Sequence, residues 1–311
     1  MTHKPIKPNK NIAPHMHGFD PLPLADAEDL LSGFITVGAS NNIDTTQNSF
    51  YFDSDTLIDF LQGERKENTF HGFHIYFGLT TNNQIVLLIH RTEIVKDFIG
   101  FETYKYIPQL ASVYNRTTEE VQIIEFAIMP VNVDGLAQLH RIDINGGLYH
   151  SLRKRFQDRF EDDNDLKTYT ISSQSFLKQL NLDPGHPTTF RYKPLITGFF
   201  IGWGILNHIR KEKTNKNEGI KSKNGVKLFL GYKNLTLNPM SAKCLHLVAI
   251  AADEPGDSVQ NYALDTVWST QERSKTNIYV ESGEQASTEF PRHERTGILG
   301  SSCSYNLTDT V

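Results

Sequence analysis

Hydrophobic and polar positions alternate with a period of two in two glycine-bounded stretches of the chain. In Gly72–Gly78 (GFHIYFG), Phe73, Ile75 and Phe77 alternate with His74 and Tyr76. In Gly225–Gly231 (GVKLFLG), Val226, Leu228 and Leu230 follow the same scheme. Each stretch is followed by an apolar run, IVLLIH after a polar turn and LHLVAIA after a longer loop. Alternating β-branched and aromatic residues between turn formers predict a β-hairpin in both places.

The likeness extends upstream. FYFDSDTLIDFL (Phe50–Leu61) aligns without a gap on YTISSQSFLKQL (Tyr169–Leu180). Each predicts an extended segment, a polar cap and a short amphipathic helix. Asp53 and Ser172 are the N-caps, because their side-chain oxygens can accept the orphan amides of a first turn. A further helix precedes each copy: Ala25–Phe34, and Leu148–Phe160 with Tyr149, Leu152, Phe156 and Phe160 on one face. The expectation is an α+β chain of two related units, each two helices followed by an antiparallel hairpin or small sheet. Residues 1–19 are then a flexible arm, 20–140 the first unit and 141–311 the second, with an inserted apolar helix at 195–209 and a C-terminal extension.

Between the copies, VQIIEFAIMPVNV (Val121–Val133) predicts a buried strand ended by the turn Asp134–Gly135, and the aromatic stretch Glu93–Thr118 is expected to be partly helical. LITGFFIGWGILNHI (Leu195–Ile209) is the most apolar segment. It is shorter than the roughly 20 residues of a membrane span, so no membrane span is expected. Its length and glycines favour a buried helix; an exposed docking helix is the second reading, with Phe199, Phe200, Trp203 and Leu206 as interface candidates. Arg210–Lys227 is lysine-rich and reads as a solvated loop. Nucleic acid is a poor fit, because Glu212 and Glu218 dilute the run, no aromatic is there to stack on bases, and the chain carries a net charge of −5.

At 311 residues the chain has room for about two domains. Two cysteines, far apart, argue against a disulfide scaffold. The first twenty residues contain lysines but no apolar core, which reads as an arm rather than a signal peptide and points to the cytoplasm. Residues 1–145 hold 10 Lys+Arg against 18 Asp+Glu (−8), and the remainder 21 against 18 (+3). Unlike halves suit self-association, with head-to-tail contact as one form of it.

Of the twelve histidines, His74 and His90 are placed to approach each other across the first hairpin, and His246 shares a strand face with Cys244. These three are the metal candidates, weak ones, since a two-histidine site still needs a carboxylate or thiolate. No Walker loop, nucleophile elbow, dinucleotide glycine motif, HExxH or EF-hand loop occurs, so no catalytic residue, metal or cofactor is assigned. The capped helix followed by GFHIYFG and an apolar strand resembles a group of small uncharacterised bacterial α+β proteins. That resemblance covers about half the chain and implies a fold pattern without an activity. The function expected is a non-enzymatic structural or protein-interaction protein, as a subunit of an assembly. The alternative is a hydrolase or metal-dependent enzyme with its site between the two units.

Overall fold

The computed structural model describes residues 19–57, 72–96, 102–106, 109–160, 167–171, 185–186, 188–202, 209, 211–213, 220–237, 240–262, 278–281, 298–299 and 303–310. In chain order the first elements are β1 (Phe19–Pro21), α1 (Leu24–Ser40), β2 (Ser49–Asp53), β3 (Gly72–Leu79), β4 (Ile85–Lys96), β5 (Glu102–Tyr106) and β6 (Gln109–Asn115). Then come β7 (Glu120–Val133), β8 (Leu136–Asp143), α2 (Gly147–Phe160), β9 (Lys167–Ile171) and β10 (Thr188–Gly202). The remainder is β11 (Lys211–Lys213), β12 (Ile220–Ser222), β13 (Gly225–Leu237), β14 (Met240–Ala252), β15 (Ile278–Glu281), β16 (Ile298–Leu299) and β17 (Cys303–Thr310).

Both predicted hairpins form. β3 pairs antiparallel with β4, His74 opposite His90, and β13 pairs antiparallel with β14, Lys227 opposite Ile250. Around them runs one mixed sheet, in the order β14, β13, β2, β8, β7, β4, β3, β10. β10 then pairs in parallel with β14 through Leu195 and Lys243, and Ile196 and Cys244, so the sheet curls until its ends meet. The other parallel junction joins Tyr51 of β2 to Leu136 of β8. Alternation sends Phe73, Ile75 and Phe77 of β3, Leu87 and Ile89 of β4, Val226, Leu228 and Leu230 of β13, and Leu245 and Leu247 of β14 into one shared core.

The outer faces of both hairpins are buried as well. Ala27 and Leu30 of α1 pack on Phe229, Val248 and Ile250, and Tyr149 and Leu152 of α2 pack on Val86 and Leu88. Each helix therefore covers the hairpin from the other half of the sequence. A glycine lets each come close: a Cβ on Gly231 would stand 2.9 Å from Leu30 Cβ, and one on Gly78 would stand 3.1 Å from Leu152 Cβ. The helix ends are tied to each other, since Arg159 in the last turn of α2 donates to the Asn41 carbonyl at the C-cap of α1 at 2.6 Å.

This corrects the expected fold class. The described residues are mostly strand and form one large curled sheet rather than two helix-plus-hairpin units. The units fail as separate bodies because neither keeps its own helix: α1 and β2 of the first half serve the second hairpin, β2 pairing with β13. The apolar segment expected to be an inserted helix is also different. Leu195–Gly202 is the end of strand β10, paired with β3 from Gly198 opposite Tyr76 to Gly202 opposite Gly72. Residues 203–208 lie outside the described residues. The stretch expected to be partly helical supplies β5 and β6, and part of the lysine-rich loop pairs as β11 with β12.

Other expectations hold. α2 buries Tyr149, Leu152, Phe156 and Phe160; Asp53 accepts the Thr56 amide at 2.7 Å at the head of a helical turn over residues 54–57; and β7 ends in the Asp134–Gly135 turn. Ser172, the other expected cap, lies outside the described residues. Among the described residues no helix is long and apolar enough to cross a membrane.

Candidate functional site

Two places in the fold bear on chemistry: the histidine pair under α2 and the interior of the curled sheet. His74 and His90 are Cα partners, and both project to the outer face that α2 covers. The His74 ring stacks on Tyr76 with centroids 4.4 Å apart, as side chains two apart on a strand can. Tyr76 meets the His90 ring edge-on at 5.4 Å. From α2, the Tyr149 hydroxyl lies 2.8 Å from His90 Nε2, and Arg153, one turn on, lays its guanidinium 4.2 Å above the Tyr76 ring.

Burial sets the electrostatics of this cluster. Loss of water pushes His74 down to about 3, helped by the positive Arg153. His90 is pushed down to about 3 by burial first, then by His74 and Arg153. Burial raises Tyr149, and the charge and hydrogen bond of Arg153 partly offset that. Both imidazoles are therefore neutral at pH 7. A general base needs a pKa near the working pH and a path to its substrate, and these histidines have neither. For a metal, the neighbourhood is two neutral imidazoles, two tyrosines and a cation, and the cation opposes a second positive charge. Among the described residues no three His, Cys, Asp or Glu side chains gather closely enough to hold a metal ion.

The sequence candidates are thus separated by the fold. His74 and His90 come together as expected. His246 stands on β14, its ring 6.5 Å from that of Phe199 and nearly parallel to it. Phe199, expected at an interface, is 0% exposed and meets Phe77 edge-on at 5.8 Å inside the sheet. Phe200 pairs through its backbone with His74; Trp203 and Leu206 lie outside the described residues. The sequence reading missed Arg153, which the spacing Tyr149-x3-Arg153 on a helix would have placed beside its tyrosine.

The described part of the sheet interior leaves little room for a ligand at the place best defined by its lining. Phe52, Phe73, Ile75, Ile89, Ile201, Val226 and Leu228 line a residual apolar space of about 10 Å³, on the scale of one water molecule. A ligand-sized cavity is many times larger.

What remains is a surface. β6 and β7 pair from Gln109 opposite Phe126 to Asn115 opposite Glu120, and among the described residues β7 has no other strand partner before Phe126, where its pairing with β8 begins. Paired residues share a face, so Leu110, Ser112, Tyr114, Val121, Ile123 and Glu125 lie together on one side of it. Leu110 is 62% exposed, Tyr114 58%, Val121 64% and Ile123 62%. Val113, on the opposite side, is exposed too. β6 itself, QLASVYN, contains no charged residue and no proline.

The chain was compared with protein-family models, with curated proteins and with solved structures, and none of these matches it.

Proposed function

We propose that this chain is a non-enzymatic protein-interaction or structural protein, and that the β6–β7 hairpin is its contact arm. The observation that carries this reading is the cluster of large apolar side chains on one face of the arm, each more than half exposed. Scattered exposed apolar residues are ordinary, whereas a contiguous patch marks an interaction site. A two-stranded ribbon is marginal by itself in water, so an arm of this kind gains order from whatever it meets. Evolved edges are commonly guarded by lysine, proline or a bulge, and β6 carries neither lysine nor proline. The enzyme alternative is weaker, because the histidine pair is closed under α2 and held neutral far below working pH.

The test is site-specific photo-crosslinking in living cells. A photoreactive phenylalanine analogue replaces Ile123 on the arm or, as a control, Lys154 on the exposed face of α2. Discrete adducts at 123 and none at 154 support a contact arm. Equal or absent labelling at both positions rejects it.

A further inference from the structure

We infer that Asn145–Gly146 is a self-modification site, where the chain converts its own asparagine to aspartate and isoaspartate. The change adds a negative charge at the head of α2.

The sequence contains two Asn-Gly pairs, Asn145–Gly146 and Asn224–Gly225. Glycine in the second place favours the reaction, because no side chain hinders its backbone nitrogen from approaching the asparagine carboxamide. The step needs neither enzyme nor oxidant. The Gly146 nitrogen gives up its proton and bonds to Asn145 Cγ; the Cγ–Nδ2 bond breaks, and ammonia leaves with that proton. Water then opens the cyclic imide. Cleavage at Cγ gives aspartate, and cleavage at the main-chain carbonyl gives isoaspartate, whose backbone runs through Cβ.

Tertiary structure treats the two pairs differently. Asn224 donates its backbone N–H to Asp253 Oδ1 at 3.2 Å and its side-chain Nδ2 to the Asp253 carbonyl at 3.4 Å. Gly225 is buried in β13 and pairs with Asp53 on one side and Ala252 on the other. A Cβ on it would collide with the Phe52 carbonyl oxygen. Imide closure has to bring the Asn224 side chain over this nitrogen, and a strand held on both sides does not yield to it.

Asn145 lies in the turn between β8 and α2. It is exposed, and so is Gly147, where a Cβ would meet nothing within 4 Å. Its backbone N–H donates to Asp143 Oδ1 at 2.8 Å, while its side-chain amide has no hydrogen-bond partner among the described residues. The Gly146 N–H donates to the Asp143 carbonyl at 3.1 Å, and a turn hydrogen bond at the surface opens far more often than one inside a sheet. The product also suits its place. The first turn of α2 holds no acidic residue, and a helix N-terminus favours negative charge. The modification therefore alters the head of the helix laid over the histidine pair and leaves both hairpins as they are.

Peptide mapping by mass spectrometry tests this on the full purified chain, aged for weeks at about pH 8 beside a urea-unfolded sample. In the folded chain, Asn145 should convert at least about ten-fold faster than Asn224. In urea the two should convert at similar rates, because the fold alone separates them. Fragment spectra that distinguish the two products should find both at position 145. Asn145→Asp carries the new charge from the start, and its circular dichroism should match the parent. Equal rates at the two sites in the folded chain overturn the proposal, as does an Asn145 that stays intact while the unfolded chain converts. Aspartate without isoaspartate at 145 overturns the imide route. Unfolding of Asn145→Asp overturns the accommodation of the charge by α2.

Discussion

The two hairpins share an interior and differ on their outer faces. Inside, Phe73, Ile75 and Phe77 in one correspond to Val226, Leu228 and Leu230 in the other, all buried in one core. Outside, the position two residues after the first glycine is His74 in β3 and Lys227 in β13, facing His90 and Ile250 respectively. The first hairpin closes its polar pair with helix side chains, Tyr149 and Arg153. The second ties Lys227 Nζ to the carbonyls of Pro255 at 2.5 Å and Asp257 at 2.7 Å, in a loop that follows β14. In both, a cation rests over the aromatic ring two residues further on: Arg153 at 4.2 Å from Tyr76, and Lys227 at 4.8 Å from Phe229. Alternation within a strand thus decides what goes inward. What a buried outer-face polar group pairs with depends on the segment laid over it.

The largest effects should fall where the hairpins agree. Ile75→Ala and Leu228→Ala should each cost about 2–5 kcal/mol, since both leave a cavity in the shared core. Chemical denaturation should give similar losses for the pair; a loss below about 1 kcal/mol for either would break the equivalence of the two interiors.

Acid should then separate them. His74 and His90 hold pKa values of about 3 in the folded chain against an ordinary 6.5. Between those values the unfolded chain binds more protons than the folded one, so stability is full above pH 6.5 and falls as the pH drops toward 3. The slope is at most about 1.4 kcal/mol per pH unit for each histidine. Urea midpoints measured from pH 7 to 4.5 should fall less steeply in His90→Leu than in the parent. No change of slope would mean that the pair is not buried as a neutral cluster.

Close helix approach offers a third comparison. Gly231→Ala and Gly78→Ala should each cost about 1–3 kcal/mol, because the new methyl pushes α1 or α2 off its hairpin. The closer 2.9 Å contact at Gly231 makes that variant the worse of the two by thermal midpoint. The smallest effect is expected from Tyr149→Phe, which removes the hydroxyl beside His90 Nε2. It should cost about 0.5–1.5 kcal/mol, and the His90 ring resonances should shift in NMR. Loss of the whole helix signal instead would show that Tyr149 does more than pin α2.

The exposed face of the β6–β7 hairpin was hard to read in advance. VQIIEFAIMPVNV looks like a single buried strand, yet Val121 and Ile123 are exposed while Ala127 and Ile128 are buried. Apolar character along a strand does not record where the covering layer stops. The histidine pair was easier, because opposition across a hairpin follows from register alone. Its burial was not legible, since α2 reaches it from the other half of the chain.

Local order was set by the sequence itself: the two hairpins, the buried stripe of α2, the Asp53 cap and the turn at Asp134–Gly135. Each rests on contacts between residues near in sequence, where side-chain period and backbone preference act directly. The tertiary structure decided the rest. Leu195–Gly202 has the composition of either a buried helix or a buried strand, and pairing with β3 and β14 resolves it as strand. The same pairing closes the sheet, and the crossed helices make one body of two similar halves. Those outcomes depend on contacts between residues far apart in the chain, whose energy becomes available only when the whole sheet curls around a common core.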